Sequence, residues 1–374
     1  MENFCIAVFG CWNEGCKENS GQKSVSDLIK KNESKYKFMV ILGDNYYAEK
    51  KNLEIASTTA STQKLKIRET NIQELINGFK CLDNINLEKK LIMCNHDVED
   101  SVDKSCSAMK IQLKLPTYDV KFPFSSDLYY LQGNNTYETI LFIYLDSSLY
   151  DNNLNDNNSC YKQTLNMDIN ILRNEQNNFL QNMLKKIEQP LLNIKNVVFF
   201  SHEPLFTFKE KDTKQKTSVK YELLAILFNE KKKYSNANFY WICADYHIYQ
   251  NSIITDMSNT KQQITQWIFG TGGGELDSAP NNNECIYNEN NIHVKLNILS
   301  NVVYNSDDKN ISEQFTKPGV AEFGYGEILF NLNFITHKFI KTNYNIDKST
   351  NMEYKSKYLK YKSKYIELKK ITNY

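Results

Sequence analysis

Short apolar runs alternate with amphipathic stretches along the chain, and this alternation limits the possible folds more than any other feature. Each run is a handful of residues long, rich in β-branched and aromatic side chains, and bounded by Gly, Asn or Asp, which is typical of a buried strand. The stretches between them repeat apolar residues at helical spacing. Strands alternating with helices predict an α/β fold with helices packed over sheet faces. The predicted strands cover residues 4–10, 37–44, 89–97, 138–148, 196–204, 238–247, 262–274, 324–334 and 337–344, and the predicted helices cover 24–35, 68–82, 174–188 and 218–233.

The late strands have little helix between them, so the sequence predicts a second, mainly antiparallel sheet in the last third of the chain. A length of 374 residues with 41% hydrophobic content allows one large domain or two smaller ones with a sizeable core. We assign residues 1–345 to an α/β domain and residues 346–374 to a separate C-terminal segment.

The C-terminal segment is basic and repetitive. From Ser349 onward it holds seven Lys and two Glu, whereas the rest of the chain has 38 basic and 42 acidic residues. The heptads "YKSKYLK" and "YKSKYIE" predict a helix with one tyrosine stripe flanked by lysines. Three interpretations stay open: a solvated terminal helix, a helix that docks on a protein partner, or a helix that binds an anionic membrane surface or polyanion. The stripe comprises Tyr354, Tyr358, Tyr361 and Tyr365.

Net charge, cysteine spacing and the lack of targeting signals bear on which partners and which cellular location to expect. The formal net charge of +1 gives no electrostatic reason to expect specific nucleic-acid binding. The nine cysteines show no CxxC or zinc-finger spacing, and the start "MENFCIAVFG" lacks the basic region of a signal peptide. No apolar run approaches the roughly 18 residues that a membrane span needs. These features predict a reducing, cytoplasmic location.

Polar residues able to bind a metal follow five of the predicted strands. They stand in "GCWN" at 10–13, "GDNYY" at 43–47, "CNHD" at 94–97, "SHEP" at 201–204 and "ADYH" at 244–247. Ligands of open α/β sheets bind at the carboxyl ends of the strands. We therefore expect the five segments to converge on one crevice, although they are far apart in sequence.

This ordered series resembles the calcineurin-like metallophosphoesterases, and within them the purple acid phosphatase branch. That family carries GDxG or DxH, then GDNxY, GNHD, GHxP and GHxH in the same chain order. The resemblance covers about residues 4–340. It implies a four-layer α/β/β/α sandwich of two mixed sheets flanked by helices. The basic tail is similar to C-terminal repeats in some large DNA virus proteins.

The resemblance implies a metal-binding role for five matching residues. Asp44 matches the carboxylate that bridges two metal ions, and Tyr47 matches the phenolate that ligates ferric iron. Asn95 and His202 match ligands of the second metal, and His247 matches the last imidazole, on the first metal. The implied cofactors are two divalent or trivalent metal ions, iron with zinc or manganese.

Two further residues match catalytic positions, and two ligand positions depart from the family. His96 matches the acid that protonates the leaving group, with Asp97 as its orienter. Cys11 stands where the family has its first Asp, and Asp245 stands where it has the first His of GHxH. Thiolate and carboxylate both ligate metals, so we predict that Cys11 and Asp245 are ligands too.

The sequence therefore predicts an enzyme, a metal-dependent phosphomonoesterase of the acid phosphatase type that acts on a phosphate ester. Two alternatives stay open. The departures at Cys11 and Asp245 suit a catalytically eroded, phosphatase-like binding scaffold, and other branches of the superfamily suit a phosphodiesterase or nucleotidase. The segments expected to contact substrate, 48–66, 98–136 and 205–217, carry no motif that identifies it.

Overall fold

The structure is a computed structural model. It describes residues 3–13, 15–47, 61–98, 106–133, 136–150, 160–211, 214–259, 261–274, 276–299, 301–305, 312–315, 319–332 and 334–343. One compact unit spans Met1–Thr342. The predicted helix within 346–374 lies outside the described residues.

Strands dominate the described part of the chain. They are β1 (Asn3–Phe9), β2 (Tyr36–Leu42), β3 (Glu88–Ile92), β4 (Tyr118–Val120), β5 (Ser125–Gln132), β6 (Tyr137–Tyr144), β7 (Ile194–Phe200), β8 (Phe206–Lys211), β9 (Lys214–Val219), β10 (Asn238–Cys243), β11 (Tyr249–Asp256), β12 (Gln263–Phe269), β13 (Glu284–Glu289), β14 (Ile292–Ile298), β15 (Asn301–Asn305), β16 (Ser312–Phe315), β17 (Gly324–Asn331) and β18 (Phe334–Lys341).

The helices lie mainly between parallel strands. They are α1 (Gly21–Asn32), α2 (Ser61–Asp83), α3 (Asn95–Val98), α4 (Ser107–Gln112), α5 (Cys160–Leu165), α6 (Ile169–Leu184) and α7 (Tyr221–Lys233). Side chains cap two of them: Ser20 accepts a hydrogen bond from the Lys23 N–H at the start of α1, and Asp168 accepts one from the Asn170 N–H at the start of α6.

The strands form two mixed eight-stranded sheets and one small hairpin. The first sheet has the order β16-β15-β18-β17-β1-β2-β3-β4, and β1 to β4 run parallel. The second has the order β13-β14-β11-β12-β10-β7-β6-β5, and β6, β7, β10 and β12 run parallel. Strands β8 and β9 pair with each other. The result is a mixed α/β architecture.

Aromatic side chains from both sheets form one core between them. The Phe142 ring of the second sheet lies 5.1 Å from the Phe330 ring of the first, and Phe4 stacks on Phe330 at 4.7 Å. Alternate residues of β7 serve two cores: Val198 and Phe200 point between the sheets, while Val197 and Phe199 belong to the cluster that includes the apolar face of α6. The buried α6 residues of this cluster are Ile169, Leu172, Leu180 and Leu184.

Every strand and helix predicted before residue 345 is present, with ends that differ by several residues. The prediction of a separate, mainly antiparallel sheet in the last third is wrong. Strand β17 instead pairs antiparallel with β1 in the first sheet, and β11 and β14 extend the second sheet. A late strand pairs with the open sheet edge that lies nearest to it. Hydrophobic periodicity identifies the strand but does not show which edge that is.

Two disulfides, which the cysteine spacing did not predict, link Cys16 to Cys81 and Cys106 to Cys160. Their partners are 65 and 54 residues apart, so no local motif marks them. Structural disulfides are rare in reducing compartments. The reducing, cytoplasmic location expected from the sequence therefore stays a prediction. Within the described residues, no helix has both the length and the apolar character required to cross a membrane.

Candidate metal centre

The five polar segments follow the carboxyl ends of strands from both sheets. In the first sheet β1, β2 and β3 are parallel neighbours, and in the second β7 and β10 are parallel neighbours. Three residues directly beyond these ends adopt left-handed backbone: Cys11 (φ 52°), Asp44 (φ 52°) and Asp245 (φ 54°). Each such residue costs about 1–3 kcal/mol, and strain of this kind concentrates at functional sites.

Asp44 lies at the centre of the cluster and is 2% exposed. Its Oδ1 atom lies 3.2 Å from Nε2 of His202. Its Oδ2 atom accepts a hydrogen bond of 2.7 Å from the Tyr47 hydroxyl and lies 4.0 Å from Nε2 of His247. The two oxygens of this carboxylate therefore face two different sets of metal-binding side chains.

Cys11, Asp44 and His202 form a candidate cation site. Each offers one ligand atom, and these atoms lie within 4.8 Å of one another, all in buried side chains. The Nδ1 atom of His202 lies 2.6 Å from the Leu42 carbonyl oxygen, which fixes the ring and turns Nε2 toward Asp44. Nε2 itself is buried and makes no well-aligned hydrogen bond within the described residues.

Tyr47, His247 and Asp245 complete the wall of the cluster. The Tyr47 hydroxyl oxygen lies 3.4 Å from Nε2 of His247, and Oδ1 of Asp245 lies 3.8 Å from Nε2 of His202. Asp277 holds His247 in place because its Oδ2 accepts the His247 backbone N–H at 3.1 Å, while its own N–H donates to the His247 carbonyl. Asp245 is about one-third exposed, so this side of the cluster opens to solvent.

The last three side chains of the "CNHD" segment lie in three different environments. Oδ1 of Asn95 is buried and has no hydrogen-bond partner within the described residues. His96 is exposed, and its ring centroid lies 5.2 Å from that of Tyr47. Asp97 is buried, so the three consecutive residues differ in access to solvent.

The hydrogen bonds of Asp97 differ from the predicted arrangement, in which Asp97 orients His96. Oδ1 accepts from the Gln112 side chain at 3.0 Å and from the Asn45 N–H at 3.2 Å. Oδ2 accepts from the Cys94 N–H at 3.0 Å. In this arrangement Asp97 ties the loop after β2 to the loop after β3, and the described hydrogen bonds give it no role in orienting His96.

Three supporting residues escaped the sequence-based assignment: Asn45, Cys94 and Gln112. Asn45 accepts a 2.8 Å hydrogen bond from the Trp12 indole and donates one to the Ile92 carbonyl. Cys94 could have been noticed, because it occupies the glycine position of the family's GNHD motif. Gln112 carries no local signal, since it reaches Asp97 from helix α4.

Burial and neighbouring charge shift the pKa values of the central pair in opposite directions. Burial alone would raise the pKa of Asp44, but the charge and hydrogen bond of His202 and the hydrogen bond of His247 together outweigh burial and hold that pKa well below its usual range. Burial alone would lower the pKa of His202, yet the charge and hydrogen bond of Asp44 and the charges of Asp245 and Glu203 together raise it to about 10. Without a cation, the two side chains therefore neutralise each other as an ion pair.

The cluster around Asp44 and His202 contains more acidic than basic side chains. Burial and then the charges of Asp44 and Asp245 raise the pKa of the Cys11 thiol well above its usual range. Burial and then Asp44 raise the pKa of Asp97 to about 6. The negative charge of Glu203 is balanced by Lys220, whose ammonium group donates a 2.7 Å hydrogen bond to it. A buried cluster with too many acidic groups and an unpartnered amide oxygen is chemically suited to a bound cation.

The protein therefore has a mixed α/β fold with a buried, acidic candidate metal centre at the carboxyl ends of its strands. Neither the protein-family profiles nor the curated proteins give a match. Among solved structures, one described as "GAP50 the anchor in the inner membrane complex of Plasmodium" is similar with a TM-score of 0.53 and 13% identity, covering 92% of this chain and 86% of that chain. At this identity the likeness shows the fold alone.

Proposed function

We propose that the chain is a metal-dependent phosphoric ester hydrolase, a phosphomonoesterase of the purple acid phosphatase type within the calcineurin-like metallophosphoesterases, with their four-layer α/β/β/α arrangement. One observation carries the proposal. The two oxygens of the buried Asp44 carboxylate face separate donor groups, at 3.2 Å from His202 on one side and at 2.7 Å from Tyr47 on the other. A carboxylate placed in this way is suited to bridge two cations.

Two groups of side chains would hold the ions. Tyr47 and His247 would share one ion with Asp44, and Asn95, His202 and Asp245 would share the other. Cys11 lies with Asp44 and His202 in the candidate cation site, so its thiolate would join the second group. Iron with zinc or manganese is the proposed pair, because a phenolate favours ferric iron while thiolate and imidazole suit zinc. When bound, such a pair lowers the pKa of a ligated water and neutralises charge on the phosphoryl oxygens.

His96 is the proposed general acid. It is exposed beside the Tyr47 ring, at the side of the cluster that a substrate can reach from solvent. It would donate its proton to the departing alkoxide oxygen, a contribution typically of about 10²- to 10⁴-fold in rate. Its loss should affect alkyl esters more than aryl esters, because an aryl oxide leaves readily without a proton.

The test separates metal binding from catalysis. Protein stripped with a chelator is supplied with zinc, manganese or iron, alone and in pairs, and bound metal is measured together with hydrolysis of a generic aryl phosphate. The proposal expects bound metal and metal-dependent release of the phenol. An aryl phosphodiester serves as a parallel substrate, since faster cleavage of the diester would favour a phosphodiesterase instead. Protein that retains no metal under any of these conditions would contradict the proposal.

The second candidate is a non-catalytic scaffold with a phosphatase-like fold. The specific observation in its favour is the pair of departures in the cluster itself, a thiol at Cys11 and a carboxylate at Asp245. The structural neighbour named above is described as an anchor, which is compatible with a structural role for this fold. Metal retention without any hydrolysis of either substrate would support the scaffold.

A further inference from the structure

Cys94 is a free, fully buried cysteine wedged between two carboxylates. It lies two residues beyond the end of β3 and directly precedes Asn95. Its sulfur accepts the Asp44 backbone N–H at 2.9 Å and lies 2.9 Å from Oδ1 of Asp44 as a donor. The same sulfur lies 3.3 Å from Oδ2 of Asp97.

A thiol has a single hydrogen and can donate to one of these two oxygens at a time. The shorter contact is to Oδ1 of Asp44, which is also the oxygen that faces His202. The S–H group together with the Asp44 N–H contact therefore fixes the rotation of the Asp44 carboxylate. The Tyr47 hydroxyl fixes the other oxygen from the opposite side.

The neighbouring backbone leaves little room for this contact to change. Gly43 has a positive φ of 88°, and a Cβ atom placed on it would lie 3.0 Å from Cβ of Cys94 and 2.8 Å from Nδ1 of His202. Cys94 therefore packs against the same glycine as His202. The thiol is held at a fixed distance from Asp44 by main-chain packing as well as by its hydrogen bonds.

We propose that Cys94 is a positioning residue for the metal centre, whose thiol holds the Asp44 carboxylate so that its two oxygens face the two donor groups. This inference rests on the proposed metal-binding function. It also predicts a response to the ion. A cation at Oδ1 withdraws electron density and makes that oxygen a weaker acceptor, so the S–H···Oδ1 hydrogen bond is kept but lengthens, and the S–H stretch shifts.

The experiment compares the unaltered chain with Cys94→Ala, which removes the donor, and Cys94→Ser, which keeps one. Cys285→Ala is the matched control, because Cys285 is another buried cysteine outside the two disulfides, on the edge strand β13. Affinity for zinc and manganese is measured by competition with a chromophoric chelator. Infrared difference spectra of the S–H stretch are recorded upon metal addition.

We expect Cys94→Ala to weaken metal binding by about 10- to 100-fold, as is usual for loss of a group that orients a ligand. Cys94→Ser should recover part of the loss, and Cys285→Ala should match the unaltered chain. The unaltered chain should give an S–H difference band that Cys94→Ser lacks, while any signal from Cys11 remains in both. A role of Cys94 in core packing alone would not produce this band.

Two outcomes would overturn the inference while leaving the proposed function intact: metal affinity unchanged in folded Cys94→Ala, or a metal-loaded unaltered chain whose Cys94 S–H band does not shift. The second measurement needs no alanine variant, so it decides even if Cys94→Ala does not fold. An unaltered chain that binds no metal would instead overturn the proposed function, and this inference with it.

Discussion

Asp44 and His202 come from different sheets and meet with Oδ1 3.2 Å from Nε2. Asp44 follows β2 of the first sheet, and His202 follows β7 of the second. The candidate centre therefore spans the gap between the sheets at their carboxyl edges. Its geometry depends on the aromatic core that packs the sheets face to face, so the stability of the core and the integrity of the site are coupled.

The Asp44→Asn variant tests the central carboxylate. An amide keeps the shape but loses the anionic charge that two cations would share, so we expect metal affinity to fall by more than the roughly 100-fold that loss of an outer partner costs. Hydrolysis should fall to background. Asp27→Asn is the matched control, because Asp27 is an exposed carboxylate that pairs with Lys23 on α1. Full activity and metal content in Asp44→Asn would exclude the proposed centre.

The Tyr47→Phe variant tests the identity of the metal. A phenolate bound to ferric iron absorbs visible light by charge transfer, and phenylalanine cannot. We expect iron-loaded protein to be coloured and the variant to lose the visible band. The measurement is an absorption spectrum beside metal analysis. A colourless, iron-free chain that still hydrolyses aryl phosphate would exclude ferric iron and favour zinc or manganese.

The positions of Asp44 and His202 could be predicted because each directly follows an apolar run that reads clearly as a strand. Parallel strands deliver their carboxyl ends to one edge, so neighbours in space follow from topology. The same reasoning placed Cys11, Asp245 and His247. It needed no knowledge of side-chain contacts.

The partners of Asp97 could not be predicted in the same way. Gln112 reaches it from a helix whose docking depends on tertiary packing, and adjacency in sequence wrongly suggested His96 instead. The pairing of Asn3 with Asn331 in the first sheet is equally non-local. Periodicity indicates that a strand exists, but which edge it joins is decided by the faces left open when the sheets pack.

The disulfides predict a measurable thiol count and a stability contribution. Under denaturing conditions without reductant, we expect five reactive thiols, from the cysteines outside the two disulfides: Cys5, Cys11, Cys94, Cys243 and Cys285. The double variant Cys16→Ser with Cys81→Ser should lose about 2–4 kcal/mol of unfolding free energy, because its unfolded chain lacks this cross-link. Cys5→Ser, at a half-buried cysteine outside both disulfides, is the control. Nine reactive thiols would contradict the pairing.

His337 predicts how stability depends on pH. Its ring stacks on Trp267 with centroids 4.1 Å apart, its Nε2 lies 2.8 Å from the Tyr249 hydroxyl, and burial lowers its pKa from 6.5 to about 3. Below pH 6.5 the His337 imidazole binds a proton in the unfolded state but stays neutral in the folded state. The free energy of unfolding therefore holds its full value, as far as His337 is concerned, above pH 6.5 and falls as the pH drops toward 3.

The His337→Gln variant tests this dependence. Its free energy of unfolding, measured with denaturant, should fall less steeply with decreasing pH, by up to about 1.4 kcal/mol per pH unit. His293→Gln, at an exposed histidine on β14, should leave the profile unchanged, and an identical profile for His337→Gln would contradict the assignment.

The double variant Cys11→Asp with Asp245→His decides between the hydrolase and the scaffold. It restores the donor types that the resembling family carries at these two strand ends, and both residues already have the left-handed backbone of the site. If the chain is a hydrolase adapted to its own ligands, the double variant should keep or lower the rate on aryl phosphate and change metal preference, since losing the thiolate removes the soft donor. If the chain is a scaffold, the unaltered protein should be inactive and the double variant should gain metal-dependent hydrolysis. Rates and bound metal are measured on both proteins under the same metal supply, with each single variant as the control for additivity.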